Sequence, residues 1–466
     1  MNRNFRIAAA VLIAALVAVP MFAARGSADF TRFVALGDSY GAGFENASLN
    51  GKHQVWSWPA VIARQAGLTI CQPGAAATDN CFAVPLVSEP GIPGELQLQT
   101  LTGVITPAPG QGTPLMTTFG RPYNNLSVPG ATVGALLTVN GTETPTQGEP
   151  TVVSFGRFIL RGLGTEVQQA VALHPTFIAM WIGGNDYLNT AFSGTPATLT
   201  SAADFKTRYE AILDTLIAGA PNAGFVVGNL PAPATLVPYL TLVPPVLVDP
   251  NTRQPILIGG NPIRCIAVLD VGTVGVLPQG TLLPLQTRDK IAQGYGLPPQ
   301  LKNIPPFSSL PHTGEPLSPN DIITPTELAT IIGRVGEYNA IINAAAAQRN
   351  IPVADIKGLF DRVGTGIQLG PINVNAGFVT GGFFGLDGFH LTDLGYLLFA
   401  DEFIKTINSA YGTEIPLASI TQLFADNGGS FGVDSNGVVN DISTEAVNQI
   451  KQIWTAPAPR RRATSH

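Results

Sequence analysis

Four short segments hold the groups that acyl transfer requires. Gly37-Asp38-Ser39-Tyr40 offers a hydroxyl nucleophile, and Gly183-Gly184-Asn185-Asp186 offers the side-chain amide of Asn185. Asn125-Leu126-Ser127-Val128-Pro129-Gly130 ends on a glycine whose backbone N–H a substrate can approach closely. Asp387 and His390 stand three residues apart, after the Gly-rich stretch Gly381-Gly382-Phe383-Phe384-Gly385 and just before the last predicted helix. Cleaving an ester takes a nucleophile, a base for its proton, a group that orients the base and donors aimed at the developing oxyanion. In a tight turn, Asp387 can hold the imidazole Nδ1–H of His390 and leave Nε2 to face Ser39.

Each segment taken singly has a plainer reading. Gly-Asp-Ser is a common loop tripeptide, Asn185-Asp186 a turn or helix start, Pro129-Gly130 an ordinary turn, and a lone histidine before a helix a capping or buried residue. His53, His174 and His312 have no partner in the sequence and read as surface or hydrogen-bonded loop residues. Trp56 and Trp58 read as core before pocket lining, and Tyr187 either approaches substrate or packs beneath the third segment.

The elements that must position these groups alternate between strand and helix. Phe33 to Leu36 is an apolar run ended by Gly37, and Val55 to Leu68 carries helical spacing. Leu126 with its neighbours predicts a strand ending at Pro129-Gly130. Phe158 to Leu173 predicts a helix feeding a strand at Thr176 to Ile182, and Phe205 to Ala218 one feeding Gly224 to Val227. Glu327 to Arg349 predicts a long helix before Val353 to Ile356, and Leu391 to Tyr411 the last helix. This grammar predicts an α/β fold, a three-layer α/β/α sandwich around a mostly parallel sheet of about five strands. Ile70 to Arg121 and Pro231 to Pro325 are too long and too rich in Pro, Gly and Thr for ordinary connections, and read as insertions capping the active-site end. A linker is the alternative for the second, against which Cys265 to Val276 is too apolar for a solvated tether.

Taken together and in this order, the four segments resemble the SGNH hydrolases, the GDSL esterase/lipase superfamily, over most of the chain. Gly37-Asp38-Ser39-Tyr40 matches the first block, Gly130 the second, Gly183-x-Asn185-Asp186 the third and Asp387-x-x-His390 the last. The resemblance implies the flavodoxin-like fold of that family and Ser39 as nucleophile, His390 as base and Asp387 as its orienter. It also implies an oxyanion hole from the backbone N–H groups of Ser39 and Gly130 and the side chain of Asn185, with neither cofactor nor metal. Tyr40 replaces the usual Leu, and Leu391 stands where Pro often follows the histidine. The nucleophile does not sit in a Gly-x-Ser-x-Gly elbow.

The chain has 466 residues, 45% of them hydrophobic and only 12% charged. Arg3 and Arg6, the apolar run from Ile7 to Val19 and the small residues up to Ala28 read as a secretory signal peptide over residues 1–28; the competing reading is an uncleaved membrane anchor. Cleavage after Ala28 removes Arg3, Arg6 and Arg25 and no acid, leaving 22 basic against 31 acidic residues, a net charge of −9. Such a surface does not seek nucleic acid. Residues 29–411 form the expected hydrolase domain, periplasmic or secreted. Residues 412–466 form a tail with turn signals at Asp426-Asn427-Gly428-Gly429 and Asp434-Ser435-Asn436-Gly437 and a basic end at Arg460, Arg461 and Arg462. Of three cysteines, Cys71 and Cys81 are the expected disulfide, three reduced thiols the alternative.

The expected substrate is a small-molecule, lipid or acylated-sugar ester, with transient contact with a lipid surface compatible with it. The rival readings are an O-acetyl esterase acting on polysaccharide and a non-catalytic surface or binding module. The Leu- and Val-rich stretch from Thr235 to Val248 favours a lipidic or aryl ester, or is buried core.

Overall fold

The computed structural model describes residues 23–99, 104–193, 198–232, 237–248, 254–269, 272–303, 308, 311–370 and 372–426. The charged and apolar parts of the expected signal peptide lie outside these residues, as does the tail beyond Asp426 with its turn signals and Arg460 to Arg462.

Strands β1 (Phe33–Gly37), β2 (Phe177–Trp181) and β3 (Gly224–Gly228) are buried at every residue, the pattern of strands covered on both faces. With the short β4 (Val353–Ala354) they form a parallel sheet in the order β1-β2-β3-β4. Phe33 stands opposite Phe177, Phe177 opposite Gly224 and Val353 opposite Val227.

The sheet thus has four strands rather than five. The segment expected to form the fifth runs beside the free edge of β1 with three backbone bonds: Ala35 N–H to Asn124 O (2.9 Å), Leu126 N–H to Ala35 O (2.9 Å) and Val128 N–H to Gly37 O (3.1 Å). The ladder stops there because Asn124 N–H donates to Ala83 O (2.9 Å) and Gly37 N–H to Glu166 Oε2 (3.1 Å) instead of across the edge. Counting this segment, the chain order across the sheet is second, first, third, fourth, fifth. The order reverses at β1, so the crevice outside the carboxyl ends of β1 and β2 is where a ligand site belongs.

Helices α1 (Ser39–Ala42) and α5 (Asn185–Ser193) start at those carboxyl ends. Two groups of helices enclose the sheet. One comprises α2 (Trp58–Gln65), α8 (Ile356–Thr365) and α9 (Asp393–Tyr411); the other comprises α4 (Glu166–Ala172), α6 (Ala202–Gly219) and α7 (Pro325–Gln348). The helix predicted from Phe158 to Leu173 is two helices, α3 (Thr151–Ile159) and α4. Arg161 at φ 57° turns the chain out of the first, and the capping box of Thr165 and Gln168 starts the second. The strand expected to reach Ile356 stops at Ala354, because Asp355 accepts from Gly358 N–H (3.0 Å) and caps α8.

In the first long insertion Cys71 and Cys81 are joined by a disulfide, beside the paired segments Thr69–Ile70 and Cys81–Phe82. The second is no solvated tether: Val243, Leu247, Cys265, Leu283, Leu297 and Leu317 form an apolar core of its own. Burial there pushes the Cys265 thiol up to about 12. Among the described residues, no helix is long and apolar enough to cross a membrane.

Candidate active site

The first turn of α1 sets the position of Ser39. Asp38, the N-cap, accepts from Tyr40 N–H at 3.0 Å, which places Ser39 as the first helical residue just past β1. Asp38 is buried; desolvation, with the charge of Asp186 nearby, pushes its carboxyl up to about 8 against the pull of the Tyr40 N–H.

Asn185 opens α5 at the end of β2. Its Nδ2 donates to Ala131 O at 3.0 Å, which ties the amide to the Gly130 loop, and lies 3.4 Å from Asp38 Oδ2 in the Ser39 turn. Gly130 has φ 83°, and a Cβ there would sit 3.1 Å from Val152 N, so that loop seats against the start of α3 only as glycine.

The last loop carries Asp387 and His390. His390 Nδ1 lies 2.9 Å from Asp387 Oδ2, and Asp387 Oδ1 accepts the backbone N–H groups of Phe389 (2.9 Å) and His390 (2.8 Å). A fourth donor comes from far along the chain, Ala47 N–H to Asp387 Oδ2 at 2.7 Å. Burial by itself would raise the Asp387 carboxyl, but the charge and hydrogen bond of His390, with the N–H groups of Phe389 and His390, hold it below its ordinary value. Tyr40 O–H donates to Phe389 O at 2.8 Å while its ring stacks on Trp181, so the Tyr that replaces Leu in the first segment braces the histidine loop. The rings of Phe44 and Phe389 pack 4.7 Å from the imidazole.

Ser39, Gly130, Asn185, Asp387 and His390 all line one cavity of about 800 Å³. Most of the remaining wall is apolar, from Phe44, Pro93, Pro129, Val152, Phe155 and Phe389, with Glu149, Asn189 and Tyr239 among its polar members. These walls come from segments that sequence reasoning had not joined. Val152 and Phe155 share one face of α3 at a spacing of three, a legible signal obscured by starting that helix at Phe158. In the stretch expected to favour an apolar ester, Val237, Leu240, Val243 and Leu247 are buried, and Tyr239 lines the cavity.

Other expectations resolve as packing. Trp58 is fully buried and stacks on Phe403, Trp56 lies under Arg64, and Tyr187 O–H donates to Pro231 O at 3.1 Å. His53, expected at the surface or in a loop, is instead buried against Glu45, Asp393 and Glu95. Among the described residues, Glu45, His53 and Asp393 are the group whose ligand atoms lie close enough together to bracket a metal ion.

Residues 33–257 match the model of the GDSL-like lipase/acylhydrolase family. No curated protein matches the chain. Among solved structures, it is similar to the acetylxylan esterase of Geobacillus stearothermophilus at 10% identity and a TM-score of 0.34, covering 84% of this chain and 99% of that one. It is also similar to a family 3 carbohydrate esterase of Clostridium thermocellum (11%, TM-score 0.31, covering 82% and 96%). A third similar structure is phospholipase A1 of Streptomyces albidoflavus (14%, TM-score 0.31, covering 83% and 100%).

Proposed function

Because this chain belongs, through residues 33–257, to the GDSL-like lipase/acylhydrolase family and is an ester hydrolase, we propose that it is an exported serine esterase whose Ser39 is acylated by esters with an apolar acyl group. The observation that carries the reading is that Ser39 and the hydrogen-bonded pair Asp387 and His390 open into one cavity with a mainly apolar wall. An apolar wall with a few placed polar groups suits an acyl chain better than a sugar cleft.

In this mechanism His390 Nε2 takes the proton of Ser39 Oγ as the oxygen attacks the ester carbonyl carbon. The tetrahedral oxyanion is met by the N–H groups of Ser39 and Gly130 and by Asn185 Nδ2. Collapse breaks the carbon–oxygen bond to the alcohol, which leaves with the proton from His390. Water, deprotonated by the same nitrogen, then attacks the acyl-enzyme; the acid leaves and Ser39 regains its proton. Asp387, acceptor-only while ionised, keeps the Nδ1 proton in place. Export rests on the basic and apolar start of the sequence, and a disulfide between Cys71 and Cys81 suits an oxidising compartment.

Hydrolysis of p-nitrophenyl acetate, butyrate and palmitate by the wild type and by Ser39→Ala tests the reading. Activity that rises beyond acetate and vanishes in the variant is the expected result. Activity confined to acetate would favour the polysaccharide O-acetyl esterase, and equal rates from both proteins would leave only a non-catalytic module.

A further inference from the structure

The buried histidine outside the cavity lies beneath the hairpin that serves the catalytic carboxylate. His53 Nδ1 is 3.1 Å from Glu45 Oε2 and 3.1 Å from Asp393 Oδ1, and its Nε2 is 3.3 Å from Glu95 Oε2. Lys52 Nζ holds the other oxygen of Glu95 at 2.6 Å.

Glu45 belongs to the hairpin of Phe44–Glu45 and Ser48–Leu49. Its two turn residues, Asn46 (φ 52°) and Ala47 (φ 57°), both adopt the left-handed conformation, which Asn tolerates and Ala disfavours, so surrounding contacts must hold the turn. That turn makes two contacts with the catalytic loop. Ala47 N–H donates to Asp387 Oδ2 at 2.7 Å, and Asn46 Oδ1 accepts from Leu386 N–H at 2.7 Å. Asp393, which shares His53 Nδ1 with Glu45, is the first residue of α9, three residues past His390. Helix α9 reaches the hairpin a second time, through Tyr396 O–H to Phe44 O at 2.6 Å. One imidazole therefore contacts both the strand that leads into the Ala47 turn and the helix that leads away from His390.

We propose that His53 is a positioning residue for the catalytic pair, a clamp that joins the Phe44–Leu49 hairpin to α9 through Nδ1 and so keeps Ala47 N–H on Asp387. The carboxylates of Glu45 and Asp393 meet at one ring nitrogen, 3.1 Å from each, while Glu95 lies 3.3 Å from the opposite nitrogen. The groups facing the ring are Glu45, Glu95 and Asp393 against Lys52, an excess of negative charge that a second cation reduces. Burial opposes that charge, but Glu45 and Asp393 outweigh it, together with the opposition of Lys52, and hold the ring well above its ordinary value. The proposal rests on the reading of Asp387 and His390 as the catalytic pair.

The test uses the full mature protein with His53→Ala and His53→Gln, the second keeping a neutral donor should the first not fold. Circular dichroism and the melting temperature establish that each variant is folded at the assay temperature. The expected result is a kcat on p-nitrophenyl butyrate lower by about 10- to 100-fold in His53→Ala, as loosened catalytic geometry produces, with KM within about twofold and partial rescue in His53→Gln. The downfield proton resonance of His390 Nδ1–H should broaden or disappear in His53→Ala, a change that lost stability elsewhere would not produce. A folded variant with wild-type kcat and an unchanged resonance would overturn the clamp. So would activity lost to EDTA and restored by Zn²⁺ in the wild type but not in His53→Ala, since the same atoms would then be a metal site. The resonance is read without turnover, so a wild type that hydrolyses none of the esters refutes the esterase reading while the spectrum still decides the clamp.

Discussion

Asp387 holds His390 twice: Oδ2 lies 2.9 Å from the ring Nδ1, and Oδ1 accepts the backbone N–H of the same residue at 2.8 Å. The imidazole is therefore fixed relative to its own peptide as well as to the carboxylate. With Phe389 and Ala47 also donating, the carboxylate is an ionised acceptor, which requires the proton on Nδ1 and leaves Nε2 as the proton-accepting nitrogen of the neutral ring.

Replacing Asp387 with Asn puts a donor or a weaker acceptor against Nδ1 and favours the wrong tautomer. The kcat on p-nitrophenyl butyrate should fall by about 10⁴-fold with little change in KM. Because the Asp387 carboxyl lies below its ordinary value in the folded chain, its contribution to stability is present above the unfolded value near ~3.9 and is lost as pH falls through the folded one. Melting curves of wild type and variant should converge below about pH 4.

Asn185→Ala removes the proposed side-chain oxyanion donor and leaves Ser39 and His390 intact. The expected loss is roughly 10²- to 10³-fold in kcat, about 3 kcal/mol, with KM nearly constant. The hydrogen bond to Ala131 O is lost as well, so the melting temperature should drop by an amount corresponding to about 1 kcal/mol. A KM effect larger than the kcat effect would assign Asn185 to ground-state binding instead.

Phe155 packs edge-on to Phe44 at 5.7 Å, and Phe44 in turn lies 4.7 Å from the His390 ring, so the apolar wall is continuous with that imidazole. Phe155→Ala should destabilise the fold by about 3 kcal/mol and shift the preferred acyl length upward. Val152→Trp, filling the same wall, should shift it downward. A chain-length series from acetate to palmitate measures both, and two unchanged profiles would remove this wall from the acyl site.

Asp38 gives a pH effect of opposite sign. Its carboxyl is pushed up to about 8 when folded, so between the unfolded value and 8 the native state holds a proton that the unfolded state has lost. The neutral form's advantage therefore wanes as pH rises through that window. Asp38→Asn keeps an acceptor for Tyr40 N–H and has no proton to lose, so its melting temperature should gain on the wild type from pH 5 to pH 8 by on the order of a few degrees. Parallel curves would show that Asp38 is ionised in the native state throughout.

The order of strands and helices and the four chemical segments were legible because each is local. An apolar run ended by Gly37, an Asn at the close of β2, and an Asp three residues before a His all carry their meaning within a few positions. The second half of the site was not legible in that way. Arg161 in a left-handed conformation split one expected helix, a single residue inside an otherwise regular pattern, and competing acceptors, Ala83 O for Asn124 N–H and Glu166 for Gly37 N–H, held an expected strand to three backbone bonds. Ala47 reaches Asp387 across 340 positions, and His53 reaches Asp393 across the same separation; neither pair shares a period, a motif or a flanking turn. Sheet register and helix packing bring them together, so the identity of the proposed catalytic groups belongs to the sequence, while the donors that hold them and the apolar wall beside them were decided only when the sheet and its helices closed around Ser39.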